Sequence, residues 1–251
     1  MCGIVGAVST RNIVPILVQG LQRLEYRGYD SCGVSVHSAG LGAPTGALRR
    51  ARGITRVADL AAQCEAEGLQ GLTGIAHTRW ATHGAPAVAN AHPHFSMGPH
   101  ADDGAERPGR VTLVHNGIIE NHEALRAELL ARGYHFSSQT DTETIVHLID
   151  SLYDGDLLTA VQTAVRRLRG SYSIAVMHRD EPQRLIGARE GSPLVLGIGA
   201  DGKENFLASD AMALAGVTDQ IVYLEEGDLI DVQLGKYWVL DRAGQRAERP
   251  V

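Results

Sequence analysis

The chain opens with apolar runs of two kinds. "GIVGAV" at 3–8 is short, unbroken and bounded by glycine, the pattern of a strand buried on both faces. "IVPILVQGLQRL" at 13–24 instead places Ile13, Ile16, Leu17, Leu21 and Leu24 at helical spacing on one face. "GVSV" at 33–36 and "GIAHT" at 74–78 read as strands, and 54–66 as a helix buried through Val57, Leu60, Ala61 and Cys64. Between the first helix and "GVSV", "EYRGYDSCG" is too polar and too broken by glycine for the interior of an element. "RVTLVHNGIIE" at 110–120 predicts a strand running into an Asn-Gly turn. Asn121 is predicted to N-cap a helix through Leu130, with Gly133 beyond its end. Thr140 and Glu143 have capping-box spacing ahead of a helix beginning near Thr142, and a second helix covers about 156–168.

From 171 onward the pattern changes to short strands: "SYSIAVM", "QRLIGA", "PLVLGI", "NFLAS", "QIVYL", "GDLIDV" and "KYWVL", interrupted by a brief helix at 210–215. The stretches 97–110 and 38–46 are polar or glycine-rich and read as surface loops. Strands first, paired helices in the middle and many strands last suggest two sheets with helices on their outer faces.

Composition narrows the function. With 251 residues, 44% hydrophobic and 21% charged, a real core is expected. A net charge of −6 argues against nucleic acid or an anionic membrane as partner. Only Lys203 and Lys236 are lysines, so the arginines reflect coding bias rather than a basic binding surface. Cys2, Cys32 and Cys64 have no framework spacing, no secretory signal opens the chain, and no apolar run approaches a membrane span. A cytoplasmic protein is expected.

The chemistry starts at Cys2. Cysteine attacks as thiolate, its free pKa is about 8.5, and it needs a base. The first histidine is His37. Removal of Met1 would supply an alternative, an α-amine with a pKa of about 7.7–8.0 on the same residue as the thiol. "MCG" is weak by itself, but "LEYRGYDSCG" at 24–33, "HTRWATHG" at 77–84, "NAHPH" at 90–94, "VHNGIIEN" at 114–121 and "TDTE" at 140–143 follow it in order. Together these resemble the class II glutamine amidotransferases, whose glutaminase domain is an N-terminal-nucleophile hydrolase. "RLEYRGYDS" and "HTRWATHG" resemble most closely the branch that forms amino sugars from fructose 6-phosphate.

The resemblance covers about 1–245 and implies an α+β fold, a four-layer αββα sandwich with Cys2 at the edge of a central strand. It implies Cys2 as nucleophile with its own α-amine, through a water, as base. It gives the oxyanion to Asn116 and the Gly117 N–H, the glutamine α-carboxylate to Arg79 with Thr82 and His83, and the α-ammonium to Asp141. Trp80 lies in a loop closing over glutamine, and Arg27 organises the site. No cofactor is implied. Residues 246–251 read as the start of a linker to sugar-isomerase (synthase) domains that this chain lacks, and the full-length enzyme is expected to be a homo-oligomer.

The charges make independent sense. Glutamine is a zwitterion with a neutral carboxamide, so a selective site needs one fixed cation, one fixed anion and uncharged donors. Taken singly, each residue has a plainer explanation: Asp141 suits a helix first turn, Asn116-Gly117 a hairpin turn, and Arg79-Trp80 a stacked surface pair. Histidines 77, 83, 92, 94, 100, 115 and 122 invite a zinc reading, but CxxC and HExxH spacings are absent, as are GxGxxG and Walker motifs. Two alternatives stand beside the glutaminase: a domain serving another acceptor (phosphoribosylamine or asparagine synthesis), and a catalytically silent binding module. Retention of Cys2, Asn116 and Asp141 speaks against the second.

Overall fold

In β1 (Gly3–Val8) every residue is buried, but the two faces meet different neighbours. Val5 and Ala7 join one apolar cluster, while Ile4 and Val8 join another. Such a strand has to be central, and the computed structural model, which describes residues 2–39, 46–80, 84–101, 109–200 and 202–251, places it there. The remaining elements are α1 (Val14–Leu24), β2 (Ser31–His37), β3 (Leu48–Gly53), α2 (Val57–Ala66), β4 (Thr73–Arg79), β5 (His94–Ser96), β6 (Val111–Ile119), α3 (His122–Ala131), α4 (Asp141–Leu152), α5 (Leu157–Val165), β7 (Gly170–His178), β8 (Arg184–Glu190), β9 (Val195–Ile198), β10 (Asn205–Ala208), β11 (Gln220–Tyr223), β12 (Leu229–Gln233), β13 (Lys236–Leu240) and β14 (Arg246–Ala247).

Two seven-stranded antiparallel sheets result. One runs β11-β9-β10-β1-β4-β2-β3 and the other β14-β13-β12-β8-β7-β6-β5. Helices α1 and α2 pack their apolar stripes, Leu17, Leu21 and Leu60 among them, on the outer face of the first sheet. The α3–α5 group covers the second through Leu129, Ile145, Ile149 and Val161. Between the sheets, Ile4, Ile75, Val114, Leu185, Leu207 and Ile230 form the middle layer. Three apolar layers between four structural layers make an αββα sandwich.

Local signals met tertiary ones in several places. The expected Asn-Gly turn is absent: Asn116 and Gly117 lie inside β6, paired with Ser173 and Tyr172. Gly117 has φ +128°, and a Cβ there would lie 2.0 Å from the Ser171 carbonyl oxygen, so glycine serves close strand approach rather than reversal. Asn121 precedes α3 but makes no side-chain cap; it bonds the Arg167 carbonyl and the Arg169 N–H instead. Thr140 does cap α4, accepting from the Glu143 N–H at 3.3 Å, whereas the Glu143 carboxylate turns to Ser137 and Ser138. Strands β3 and β5 had no sequence signal, and "SCG" at 31–33 is strand rather than loop. Strand pairing continues to Ala247, and Arg249 bonds Asp228 through Nε at 2.9 Å and Nη2 at 2.8 Å. Among the described residues, no helix is long and apolar enough to cross a membrane.

Candidate active site

Cys2 immediately precedes β1, and β4 pairs beside it with Gly3 opposite Thr78. The strand end therefore delivers Arg79 and Trp80 to Cys2. The Trp80 backbone N–H donates to Cys2 Sγ at 3.1 Å, and the thiol lies 3.5 Å from the Trp80 carbonyl. Burial pushes the Cys2 thiol pKa up, and the Trp80 N–H and the Arg79 charge pull it back. Burial acts with less opposition on the other two cysteines, taking Cys32 up to about 12 and Cys64 to about 11.

A cavity of about 190 Å³ opens here, lined by Cys2, Arg79, Gly117, Ile118 and Asp141 together with Trp80, His92, His115, Thr140 and Thr142. It is smaller than the roughly 300–1,000 Å³ of drug-sized pockets, which suits an amino acid. Arg79 is buried in its wall. Its Nη1 donates to Asp30 Oδ1 at 3.3 Å and its Nη2 to the Gly84 carbonyl at 3.0 Å. Register explains the first bond: Ser31 pairs with Arg79 across β2–β4, so the residue before it carries the carboxylate.

Asp141, the first residue of α4, is buried, and its Oδ2 accepts the Ile119 N–H at 2.8 Å. Its neighbours are fixed by three histidines. His94 bonds Thr140 Oγ1 at 3.1 Å, while His92 and His115 both reach Thr142 Oγ1, at 2.9 and 3.0 Å. Burial holds His92 and His94 well below the usual histidine pKa, so these are neutral polar struts. Glu143 completes the turn. Burial would raise its pKa, but hydrogen bonds from His147, Ser138 and Ser137 bring it down to about 2. Among the described residues no group of three or more His, Cys, Asp or Glu is arranged to hold a metal ion.

Asn116 approaches from beside Cys2 rather than from the cavity wall, its Nδ2 donating to the Cys2 carbonyl at 3.4 Å and its Oδ1 lying 2.9 Å from His77 Nε2. Trp80 is half exposed, and its indole covers Gly28, where a Cβ would meet it at 2.7 Å. Arg27 stands apart from the cavity lining, ion-paired with Asp210 and 3.2 Å from the Tyr26 hydroxyl. Thr82 and His83 lie outside the described residues, as does Met1. The sequence did not single out Asp30 or Thr142 and offered His77 and His115 only as metal ligands, while the His92-Pro93-His94 motif was expected to be structural or loop-ordering, as the ties of His92 to Thr142 and of His94 to Thr140 agree. Their signal was positional, since Asp30 lies inside "LEYRGYDSCG" and His77 opens "HTRWATHG".

Comparison with known proteins agrees with this geometry. A family model described as a glutamine amidotransferase domain matches residues 103–216. Proteins named glutamine–fructose-6-phosphate aminotransferase (isomerizing) are similar to the whole chain: that of Bordetella pertussis is 61% identical over 249 residues, that of Pseudomonas putida 51% over 251, and that of Yersinia pseudotuberculosis 49% over 252. Alignment takes in 99–100% of this chain but only 38% of each relative, so the chain spans under two fifths of their length. Among solved structures, a glutamine phosphoribosylpyrophosphate amidotransferase from B. subtilis superposes with a TM-score of 0.77 at 22% identity, covering 96% of this chain and 49% of that one. At that identity the likeness establishes the fold.

Proposed function

We propose that the chain is a glutamine amidotransferase domain that hydrolyses the side-chain amide of L-glutamine through a thioester on Cys2. The observation that carries this reading is one small cavity lined by a thiol, a buried arginine and a buried aspartate. Arg79 offers a fork for the α-carboxylate, with Thr82 and His83 assisting, and Asp141 a counter-charge for the α-ammonium. The amide carbon is thereby directed toward Cys2.

Removal of Met1 frees the Cys2 α-amine, which takes the thiol proton through a water. The thiolate attacks the amide carbon, and the Gly117 N–H and the Asn116 NH2 group receive the oxyanion. Collapse expels ammonia, which takes its proton from the α-ammonium. Water then cleaves the thioester to glutamate and restores the thiol. Trp80 closes the cavity, and Arg27, ion-paired with Asp210, organises the site from outside its lining.

In the longer relatives the ammonia would serve glucosamine 6-phosphate formation from fructose 6-phosphate, in sugar-isomerase domains beyond residues 246–251. An identity of 49–61% along the whole chain favours this acceptor over a phosphoribosyl one. A cytoplasmic location and a homo-oligomeric full-length enzyme belong to the same proposal. The test is a variant with one extra, trimming-resistant residue ahead of Cys2. It is expected to fold and to hydrolyse glutamine poorly, whereas the parent, with Met1 removed as judged by intact mass, releases glutamate and ammonia in equal amounts. Full activity of the extended variant would refute the α-amine role.

A further inference from the structure

Asn116 is held from both ends. On one side its Nδ2 faces the Cys2 carbonyl at 3.4 Å. A carbonyl only accepts, so the NH2 group and not Oδ1 has to point that way. Oδ1 is then turned to His77 Nε2, 2.9 Å away, and the ring must donate. His77 is fully buried on β4, and burial pushes its pKa down to about 3, so at neutral pH it carries one ring proton. The hydrogen bond to an acceptor oxygen fixes that proton on Nε2. The ring plane is fixed as well: His77 stacks on His92 at 4.2 Å and 26°, and His92 is tied to Thr142.

We propose that His77, as its neutral Nε2–H tautomer, is a positioning residue that locks the Asn116 carboxamide with its NH2 group toward the reacting centre. The inference rests on the glutaminase reading above. A carboxamide can turn over with little change of shape, and the reversed form would present Oδ1, a partial negative charge, to the developing oxyanion. An NH2 group has two N–H donors, so one can hold Cys2 while the other meets the oxyanion. His77 does not line the cavity and acts through Asn116.

The experiment compares His77→Leu, which removes the donor, with His77→Gln, whose side-chain amide can still donate, each alone and combined with Asn116→Ala. His77→Leu is expected to lower kcat about 10- to 100-fold, short of the roughly 10²–10³ for loss of an oxyanion donor itself, with KM changed less than about twofold. His77→Gln should recover most of the loss. In the Asn116→Ala background His77→Leu should change kcat less than about twofold, because its partner is gone. Equal losses for Leu and Gln, additive effects in the double variant, or a change confined to KM would overturn the proposal. If His77→Leu does not fold, 15N NMR of the unsubstituted protein decides. A neutral Nε2–H ring from pH 5 to 8 supports the lock; an Nδ1–H tautomer or a charged ring overturns it. Failure of the parent to hydrolyse glutamine would instead sink the glutaminase reading, whereas an active parent, an impaired Asn116→Ala and an unaffected His77→Leu would sink this inference alone.

Discussion

Replacing Gly117 by alanine tests the site and the fold at one atom. The added Cβ would lie 2.0 Å from the Ser171 carbonyl oxygen, 2.6 Å from its carbon and 2.9 Å from Tyr172 Cα. All three are backbone atoms of β7, paired with β6 along its whole length, so no side chain can swing aside. Ordinary contact begins near 3.4 Å, so the strands must part by about 1.4 Å at this point. The φ of +128° adds strain that only glycine avoids. Backbone strain of about 1–3 kcal/mol and overpacking of about 1–3 kcal/mol sum to roughly 2–6 kcal/mol. At about 2–4 °C per kcal/mol for a chain this long, Tm should fall by roughly 4–24 °C. The same displacement moves the Gly117 N–H by more than 1 Å, and misplacement on that scale costs on the order of 10²-fold in rate. The assay is single-turnover and steady-state glutamine hydrolysis, corrected for folded fraction, beside thermal unfolding. A Gly117→Ala protein with unchanged Tm and kcat would refute both the close strand approach and the oxyanion role.

Three further outcomes are expected. Asn116→Ala should lower kcat by roughly 10²–10³ with little change in KM, because its charge partner appears only in the transition state, whereas Asp141→Ala should raise KM much more than it lowers kcat; steady-state kinetics that show the reverse split would exchange their roles. A glutamine-shaped diazo-ketone should label Cys2 alone, since burial takes Cys32 up to about 12 and Cys64 to about 11; peptide mapping that finds the label on either would remove Cys2 as nucleophile. Stability should fall on acidification: burial depresses the folded pKa of His77 to about 3, below its unfolded value near 6.5, so the unfolded state binds more protons between the two and stability is lost as pH drops through that window. His77 alone should cost about 2 kcal/mol at pH 5, and urea unfolding that is flat between pH 7 and pH 5 would contradict its burial as a neutral ring.

Much of the fold was legible because burial on one or both faces leaves a period in the sequence. Strand β1 and helix α1 read correctly for that reason, whereas α4 was announced by its Thr140 cap. What failed to read depended on partners distant in sequence. Strand β3, "LRRARG", has no apolar alternation, yet Arg50 donates to the Pro93 carbonyl at 3.0 Å and lies 4.2 Å over the Phe95 ring. Its guanidinium stands in for an apolar contact that local pattern cannot anticipate. The Asn-Gly pair misled for a similar reason: φ > 0 is equally what a turn and a close interstrand approach require. At the site, motifs drew out the residues proposed to meet glutamine, but Asp30, Thr142 and His77 hold other residues in place. A supporting role of that kind is written in the register of β2 on β4 and in the facing of two sheets.

The placement of β1 also bears on how the segment around Cys2 fluctuates. Chain ends usually fray, and a nucleophile on one would sample many positions. Here the strand that begins one residue after Cys2 is flanked on both edges, by β4 and β10, and locked at its start where the Ile4 N–H donates to Ser209 Oγ at 2.9 Å and the Ser209 N–H to the Ile4 carbonyl at 3.1 Å. Opening it means opening the middle of a seven-stranded sheet. In hydrogen exchange the amides of residues 4–8 should therefore be among the slowest in the protein, exchanging only through events close in free energy to global unfolding. The segment next to Cys2 would then be one of the last parts of the molecule to move.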